Sequence, residues 1–322
     1  MSVSKHAWNP RNISTQHQKS SMPLYERVLN AALSEMPKAQ PFHSDFKVGC
    51  AILNVTTGRL FRGSNSEYGA GYGKATSRSL HAEVSATDKA RGKFRKGEPA
   101  IIAVIGDAPG PVTPCGDCRD FLRTFFPIHT EILAANTQGD VDILTLDALL
   151  PNNFRTVSLN PFSDYDHLLM HAASHSFKRG LVIELGLREG AAVWTSNEKI
   201  YMGARVDSAC YHPTTAIASA ISNAVAAGNV DIVAMALIPN KVGLAHGLSG
   251  LERQFIYGIF DVLGRVKTGR ILIATPELDM VMSATPEELL PYGFSMATIG
   301  KDNEIRALIE NLRARQNNTS RK

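Results

Sequence analysis

Three short words of this 322-residue sequence are each echoed later in the chain, in the same order. RLFRGSN at 59–65 is echoed by KIYMGAR at 199–205, AEVSAT at 82–87 by AIASAI at 216–221, and CGDCRDF at 115–121 by SGLERQF at 249–255. Ordered echoes of this kind mark a tandem duplication, and a duplicated unit must bury its apolar face the same way twice. Within each copy the apolar period switches between helix and strand. LYERVLNAALSEM carries a helical stripe through Leu24, Val28, Leu29 and Leu33, and FKVGCAILNVTTGRLFRGSN reads as two strands joined at a turn. LHAEVSATDKARGK predicts a helix ended by Gly92, AIIAVIGD a buried strand, CGDCRDFLRTFF a helix opened by Pro114, and TEILAAN another strand. Strands alternating with helices predict a sheet covered by helices, an α/β architecture.

Between the copies, PNNFRTVSLNPFSDY at 151–165 has the prolines, asparagines and lack of periodicity of a linker. After it come a predicted helix (YDHLLMHAASHSF), strands at LVIELGL and GAAVWTSNEKIYMGARV, an alanine-rich helix (TTAIASAISNAVAAGN) and a buried strand (VDIVAMALIP). The expected organisation is a tail over 1–22, a first domain over 23–150, the linker, a second domain over 166–310, and a tail over 311–322. Both tails are expected to be disordered. The acid-free start keeps a mitochondrial presequence open as the alternative to a disordered tail, although few arginines and little amphipathic pattern favour the tail.

The net charge of +4 resides in those tails. They hold seven Lys and Arg and no acid; without them the body carries 27 basic against 30 acidic residues. That balance argues against a polyanion channel and thus against a nucleic-acid partner. No apolar run reaches the length of a membrane span. Four cysteines, two of them in one motif, do not form a disulfide framework and suit a reducing compartment, the cytoplasm. Cys50 and Cys210 are expected to be small buried hydrophobes.

The remaining two, Cys115 and Cys118, are spaced i, i+3 at the start of a predicted helix and so share its first turn. The positive helix end favours the thiolate, the form that binds metal. His81 opens another helix, and Glu83 sits at the same mouth. Two thiolates and one imidazole suit Zn2+ and leave a tetrahedral position open for water, from which Glu83 is placed to take a proton. The second copy has Thr215, Ile217, Ser249 and Glu252 at the four positions, so the polar set is lost together and the copy is degenerate. His-x-Glu followed by Pro-Cys-x-x-Cys is the signature of zinc nucleobase deaminases.

From about Leu24 to about Gly300 the chain resembles the cytidine deaminase family, in its two-domain dimeric form. PFHSDFKVG resembles that family's Pro-Tyr-Ser-x-Phe-x-Val-Gly segment, GSNSE its Gly-x-Asn-x-Glu, LHAEVSA and TPCGDCRDF its zinc helices, and LPNNF the exit from its first domain. The resemblance implies a duplicated three-layer α-β-α sandwich that deaminates cytidine and deoxycytidine hydrolytically through zinc-bound hydroxide, in pyrimidine salvage. It implies that His81, Cys115 and Cys118 hold zinc and that Glu83 shuttles protons. Asn65 and Glu67 would bind the ribose 3′-hydroxyl, Phe46 would pack beside the base, the Ala82 backbone would address the pyrimidine carbonyl, and the Thr113 carbonyl would receive the amino group. It also implies a homodimer with the active site near a subunit boundary. Asp45 stands where the family commonly has Asn, and the Gly-rich stretch 68–80 is longer than usual. The second feature keeps a modified or antibiotic nucleoside open as an alternative substrate; a polynucleotide is the other alternative.

Overall fold

The computed structural model describes residues 16–68, 78–95, 97–151, 156–157, 162–183, 186–207, 213–239, 248–301 and, beyond these, 303, 307, 309–311 and 314. Cys210, the tip of the Gly-rich stretch at 69–77, and Phe154 of the LPNNF exit lie outside the described residues. The chain divides into two compact units, residues 1–150 with 292–301, and residues 151–291 with 302–322. The stretch 292–301, expected with the second domain, thus packs with the first.

The first unit runs α1 (Gln16–Glu35), β1 (Val48–Asn54), β2 (Leu60–Ser64), β3 (Ser66–Tyr68), β4 (Arg78–Leu80), α2 (Ala82–Ala90), β5 (Ala100–Gly106), α3 (Gly116–Phe125), β6 (Glu131–Asn136), β7 (Val141–Thr145) and α4 (Leu146–Leu149). Helix begins at Gln16, inside the tail expected to reach residue 22, and Pro23 lies within it. The main sheet has the order β2-β1-β5-β6-β7. Only the β5–β6 pair is parallel, and the connection between them is the crossover through α3.

Strand period 2 divides the core between the two faces of this sheet. Cys50 and Ile52 of β1 and Ile102 and Val104 of β5 join Ala82 and Ala86 of α2 and Leu122 of α3. Ala51 and Leu53, with Ala103 and Ile105, turn the other way onto Tyr25, Val28, Leu29 and Ala32 of α1. The result is three layers: one helix, the sheet, two helices. Each fully buried Ile or Leu contributes about 1.5–3 kcal/mol of apolar transfer, and Ile52, Leu53, Ile102 and Ile105 are all 0 % exposed. Cys50 is buried among them.

Two glycines set how closely helices approach the sheet. A Cβ at Gly49 would lie 2.2 Å from the Ala32 carbonyl oxygen of α1, and one at Gly63 would lie 2.3 Å from that of Ala82 in α2. The helix backbones therefore rest directly on the strands, which side chains of any size would forbid.

The second unit runs β8 (Thr156–Val157), α5 (Asp164–Phe177), β9 (Gly190–Thr195), β10 (Ile200–Ala204), α6 (Ala216–Ala226), β11 (Ile232–Ile238), α7 (Gly250–Val262), β12 (Arg270–Ala274), β13 (Val281–Ala284) and α8 (Pro286–Leu289). Its sheet, β10-β9-β11-β12-β13-β8, repeats the order and sense of the first and adds one edge strand. The close approaches repeat too. A Cβ at Gly190 would strike α5 at the Ala173 carbonyl oxygen, and one at Gly203 would strike α6 at Ala220 N. Tandem duplication is thus written in backbone contacts as well as in words.

LVIELGL is expected as a strand, but its described residues, 181–183 and 186–187, form none, and Glu184 and Leu185 lie outside the described residues. Leu181 makes a single bridge to Val206, and Leu181 and Ile183 are exposed. Both edges of β9 are already taken, by β10 and β11.

Each unit also buries one arginine at the residue after the second position of the CxxC or SxxE word. Arg119 is 0 % exposed and donates to the carbonyls of Pro114, Leu149 and Tyr292. Arg253, in the same place in α7, donates to the carbonyls of Leu289 and Pro151. In each unit a buried guanidinium ties a helix start to Leu-Leu-Pro exit segments, satisfying carbonyls that no helix bond reaches.

Candidate metal centre

His81 is the N-cap of α2 and Cys115 the N-cap of α3; Cys118 lies in the first turn of α3. Packing α2 and α3 side by side on one sheet face brings their N-terminal ends together. His81 Nδ1 stands 3.3 Å from Cys115 Sγ and 3.2 Å from Cys118 Sγ. One donor atom from each of the three lies within 4.8 Å of the others, and among the described residues no fourth His, Cys, Asp or Glu joins them. Cys115 and Cys118 are free thiols. Two sulfurs and an imidazole nitrogen at these separations fit the edges of a tetrahedral zinc site, whose bonds of about 2.0–2.3 Å put neighbouring ligands roughly 3.5 Å apart. The residues present therefore fit Zn2+ with one corner free.

The three donors are electrostatically coupled: Cys118 is raised well above its ordinary value, first by its bond to Cys115 and then by burial, so Cys115 takes the thiolate and a bound metal would have to displace the protons of the other two. Cys115 is pulled down to about 4, first by the hydrogen bond from Cys118, and further by His81 and the Cys118 backbone N–H, against the effect of burial. His81 is raised to about 9, chiefly by its hydrogen bond with Cys115. Glu83 is 5 % exposed, and burial raises its pKa, opposed by the charge of His81. A carboxyl pKa raised in this way suits a group that must both accept and return a proton.

The second unit shows what these positions become without ligands. Thr215, at the His81 position, accepts a hydrogen bond from Ala218 N and caps α6. Ser249, at the Cys115 position, accepts from Glu252 N, while Glu252 bonds back to Ser249 N in a full capping box. His81 makes no side-chain cap bond on α2. The first unit forgoes conventional capping where the second has it, a difference worth about 1 kcal/mol per helix.

His81, Cys115 and Glu83 open onto a cavity of about 430 Å³, with Cys118 buried behind them. Phe46, Asn65, Glu67, Ala82 and Thr113 all line it, as do His81, Glu83 and Cys115. Asn65 Oδ1 accepts from Val48 N and its Nδ2 donates to Phe46 O, both at 2.8 Å, which leaves one N–H for a ligand. Glu67 is opposed by burial, yet hydrogen bonds from Ser44 Oγ, His43 N and Ser44 N hold its carboxyl below the usual range. The Phe46 ring lies over Gly106, where a Cβ would come within 2.8 Å of it. Ala82 is the first residue of α2. Thr113 Oγ1 donates to Tyr292 O at 2.7 Å. Asp45, where the family commonly has Asn, has φ +56°, a left-handed conformation that Asn and Asp tolerate best among non-glycine residues.

Sequence reasoning missed other parts of the lining, among them Ser44 and, from the returning stretch, Phe294, Met296, Ile299 and Lys301. The Phe46 and Phe294 rings are 5.9 Å apart, tilted by 44°. One signal was available. LLPYGF at 289–294 repeats LLPNNF at 149–154, so the second exit segment marks itself as another element of the duplication.

The molecule is thus a duplicated α/β protein in which one copy carries a His-Cys-Cys metal centre with a buried carboxyl at the mouth of a cavity, the layout of a zinc hydrolase. Residues 22–134 match the family model described as the cytidine and deoxycytidylate deaminase zinc-binding region. A cytidine deaminase of Halalkalibacterium halodurans is 34% identical over 135 residues, which are 42% of this chain and 97% of that protein. One from Sporosarcina psychrophila is 30% identical over 135 residues, 42% of this chain and 94% of that protein. A crystal structure of cytidine deaminase from Burkholderia pseudomallei, 34% identical, covers 44% of this chain and 100% of that one, with a TM-score of 0.35. The chain belongs to the cytidine deaminase family, and its cofactor is zinc.

Proposed function

We propose that the chain converts cytidine and deoxycytidine to the corresponding uridines by hydrolytic deamination, as a step of pyrimidine salvage. The observation that supports this best is the cluster of three metal donors beside a nucleoside-sized cavity that His81, Cys115 and the buried Glu83 line. His81, Cys115 and Cys118 hold the metal. Zinc, when bound, supplies a Lewis acid that lowers the pKa of water enough for attack at neutral pH.

This chain's residues do the rest. Glu83 takes a proton from the attacking water, delivers it to ring N3 as the C4–O bond forms, and helps protonate the amine that leaves as ammonia. The Ala82 backbone meets the pyrimidine carbonyl, and the Thr113 carbonyl accepts from the exocyclic amine. Phe46 packs on the base, with Phe294 5.9 Å from its ring. Glu67 and the free N–H of Asn65 receive the sugar hydroxyl. Binding a polar sugar hydroxyl through preformed acceptors and donors orders the substrate before reaction.

The test is ammonia release from cytidine with zinc counted per chain. One zinc and turnover support the reading, and zinc without turnover on cytidine or deoxycytidine removes it.

A homodimer and a cytoplasmic setting complete the reading. The exposed Leu251 (56 %) and Phe255 (39 %) on α7 offer apolar surface for a second copy, and free metal-binding thiols suit a reducing compartment. Light scattering checks the first. Among the described residues no helix is long and apolar enough to cross a membrane.

A further inference from the structure

The stretch 292–301 runs along the cavity from the metal end to the sugar end, and it is tied at both. At the metal end Tyr292 O accepts from Thr113 Oγ1 and Arg119 Nη2, each at 2.7 Å. In the middle, Ser295 and Thr298 bond each other's backbone, a 3-10 turn spans Ala297–Ile299, and Lys301 N closes on Met296 O at 2.9 Å. At the sugar end Lys301 Nζ donates to Ser44 O at 2.9 Å. Lys301 is the one Lys or Arg among the described lining residues.

Ser44 is the hinge of the sugar side. Its N–H and Oγ both donate to Glu67, and its Oγ accepts from Phe46 N. The loop that carries it has Asp45 at φ +56° and no regular strand pairing of its own. Without an outside tie such a loop would sample other conformations, and Glu67 would lose the donors that orient it. Lys301 makes no ion pair with Glu67 or any other described acid, so its effect on the carboxylate passes through the Ser44 carbonyl.

We propose that Lys301 is a positioning residue for sugar recognition: by holding the Ser44 carbonyl it fixes the contact between Ser44 and Glu67, and so the carboxylate that meets the substrate's 3′-hydroxyl. The proposal rests on the reading of Glu67 as the sugar acceptor. Residues supplied by the end of the second repeat thereby set a specificity of the first repeat's site.

The experiment compares kcat/KM for cytidine and 3′-deoxycytidine in the full-length zinc-loaded protein, for the wild type, Lys301→Met, Lys301→Arg and Glu67→Gln. The wild type should prefer cytidine. Lys301→Met should lose about tenfold on cytidine, the size of one hydrogen bond, through KM, while 3′-deoxycytidine changes less than about twofold. Lys301→Arg, which still reaches a carbonyl, should keep most of the preference, and zinc content should match the wild type in each. Equal losses on both substrates, or an undiminished preference in Lys301→Met, would overturn the proposal. If neither the wild type nor Glu67→Gln distinguishes the two nucleosides, the sugar role of Glu67 fails and the proposal with it, while deamination itself stands.

Discussion

Replacing Gly63 by alanine tests whether the metal centre depends on how closely α2 lies on the sheet. The new Cβ would sit 2.3 Å from Ala82 O, 2.4 Å from Ala86 N and 2.9 Å from Ser85 C, where 3.0 Å is already the shortest that real contacts allow. These are backbone atoms and cannot swing aside. The helix must retreat by roughly 0.7 Å, and His81 and Glu83 retreat with it from Cys115 and Cys118 on α3. Zinc sites tolerate errors of about 0.2 Å in ligand distance, so affinity should fall, and misplacement on this scale should lower kcat/KM by about 100-fold. Overpacking alone costs about 1–3 kcal/mol, or roughly 2–4 °C in Tm per kcal/mol for a unit of this size. The duplication supplies the control. At Gly203 the same substitution meets Ala220 N at 2.1 Å and Ala216 O at 2.4 Å, but α6 carries no ligand. Both variants should melt lower by similar amounts, and only Gly63→Ala should lose zinc and activity at 20 °C. Metal analysis and steady-state rates decide the matter; equal activity losses in the two, or a fully active Gly63→Ala, would refute the reasoning.

Glu83→Gln should keep the fold and one zinc per chain yet lose nearly all turnover, since an amide cannot return a proton; near-normal rates would remove Glu83 from the mechanism. His81→Thr copies the cap that Thr215 forms on α6, so after treatment with chelator it should melt higher than the wild type by about 1 kcal/mol while binding no zinc at the site. A lower melting temperature under the same conditions would show that His81 packs better than it caps. Glu252 is raised to about 7, first by burial and then by the charge of Glu189, against bonds from Ser249 and the charge of Arg205. A folded-state pKa above the ordinary carboxyl value means stability that is present below about pH 4.5 and lost as pH rises to about 7, on the order of 3 kcal/mol. Glu252→Gln should flatten that loss in melts between pH 5 and pH 8, and an unchanged slope would assign the loss elsewhere.

Periodicity and short words carried the layered core. The β1 run FKVGCAIL buries on both faces, as a continuous apolar run should, and β5 does the same. The edge elements carried less. VDILT of β7 is exposed or half-buried along its whole length, and β8 is two residues long, so neither leaves a strong pattern. LVIELGL misled in the opposite sense: its apolar residues promised a strand, but its described residues carry only the Leu181 bridge, and the neighbouring seats on β9 were already filled. At the site, His81, Glu83, Cys115 and Cys118 were legible because helix starts impose their geometry locally, within one turn. Ser44 was not, because its role comes from Glu67, 23 positions away.

By itself the sequence determined that the chain is two copies of one unit, that the sheet is covered on both faces, and that one copy alone holds a zinc donor set with a carboxyl beside it. Those features depend on residues a few positions apart, where helix and strand periods act. Tertiary structure decided that residues 292–301 return to the first unit and complete its cavity. The bonds that do so join Thr113 to Tyr292 and Ser44 to Lys301, across 179 and 257 positions. No local preference encodes such pairings; they form because the buried carbonyls of the exit segment and of the Ser44 loop need donors, and the packed fold is what brings those donors within reach.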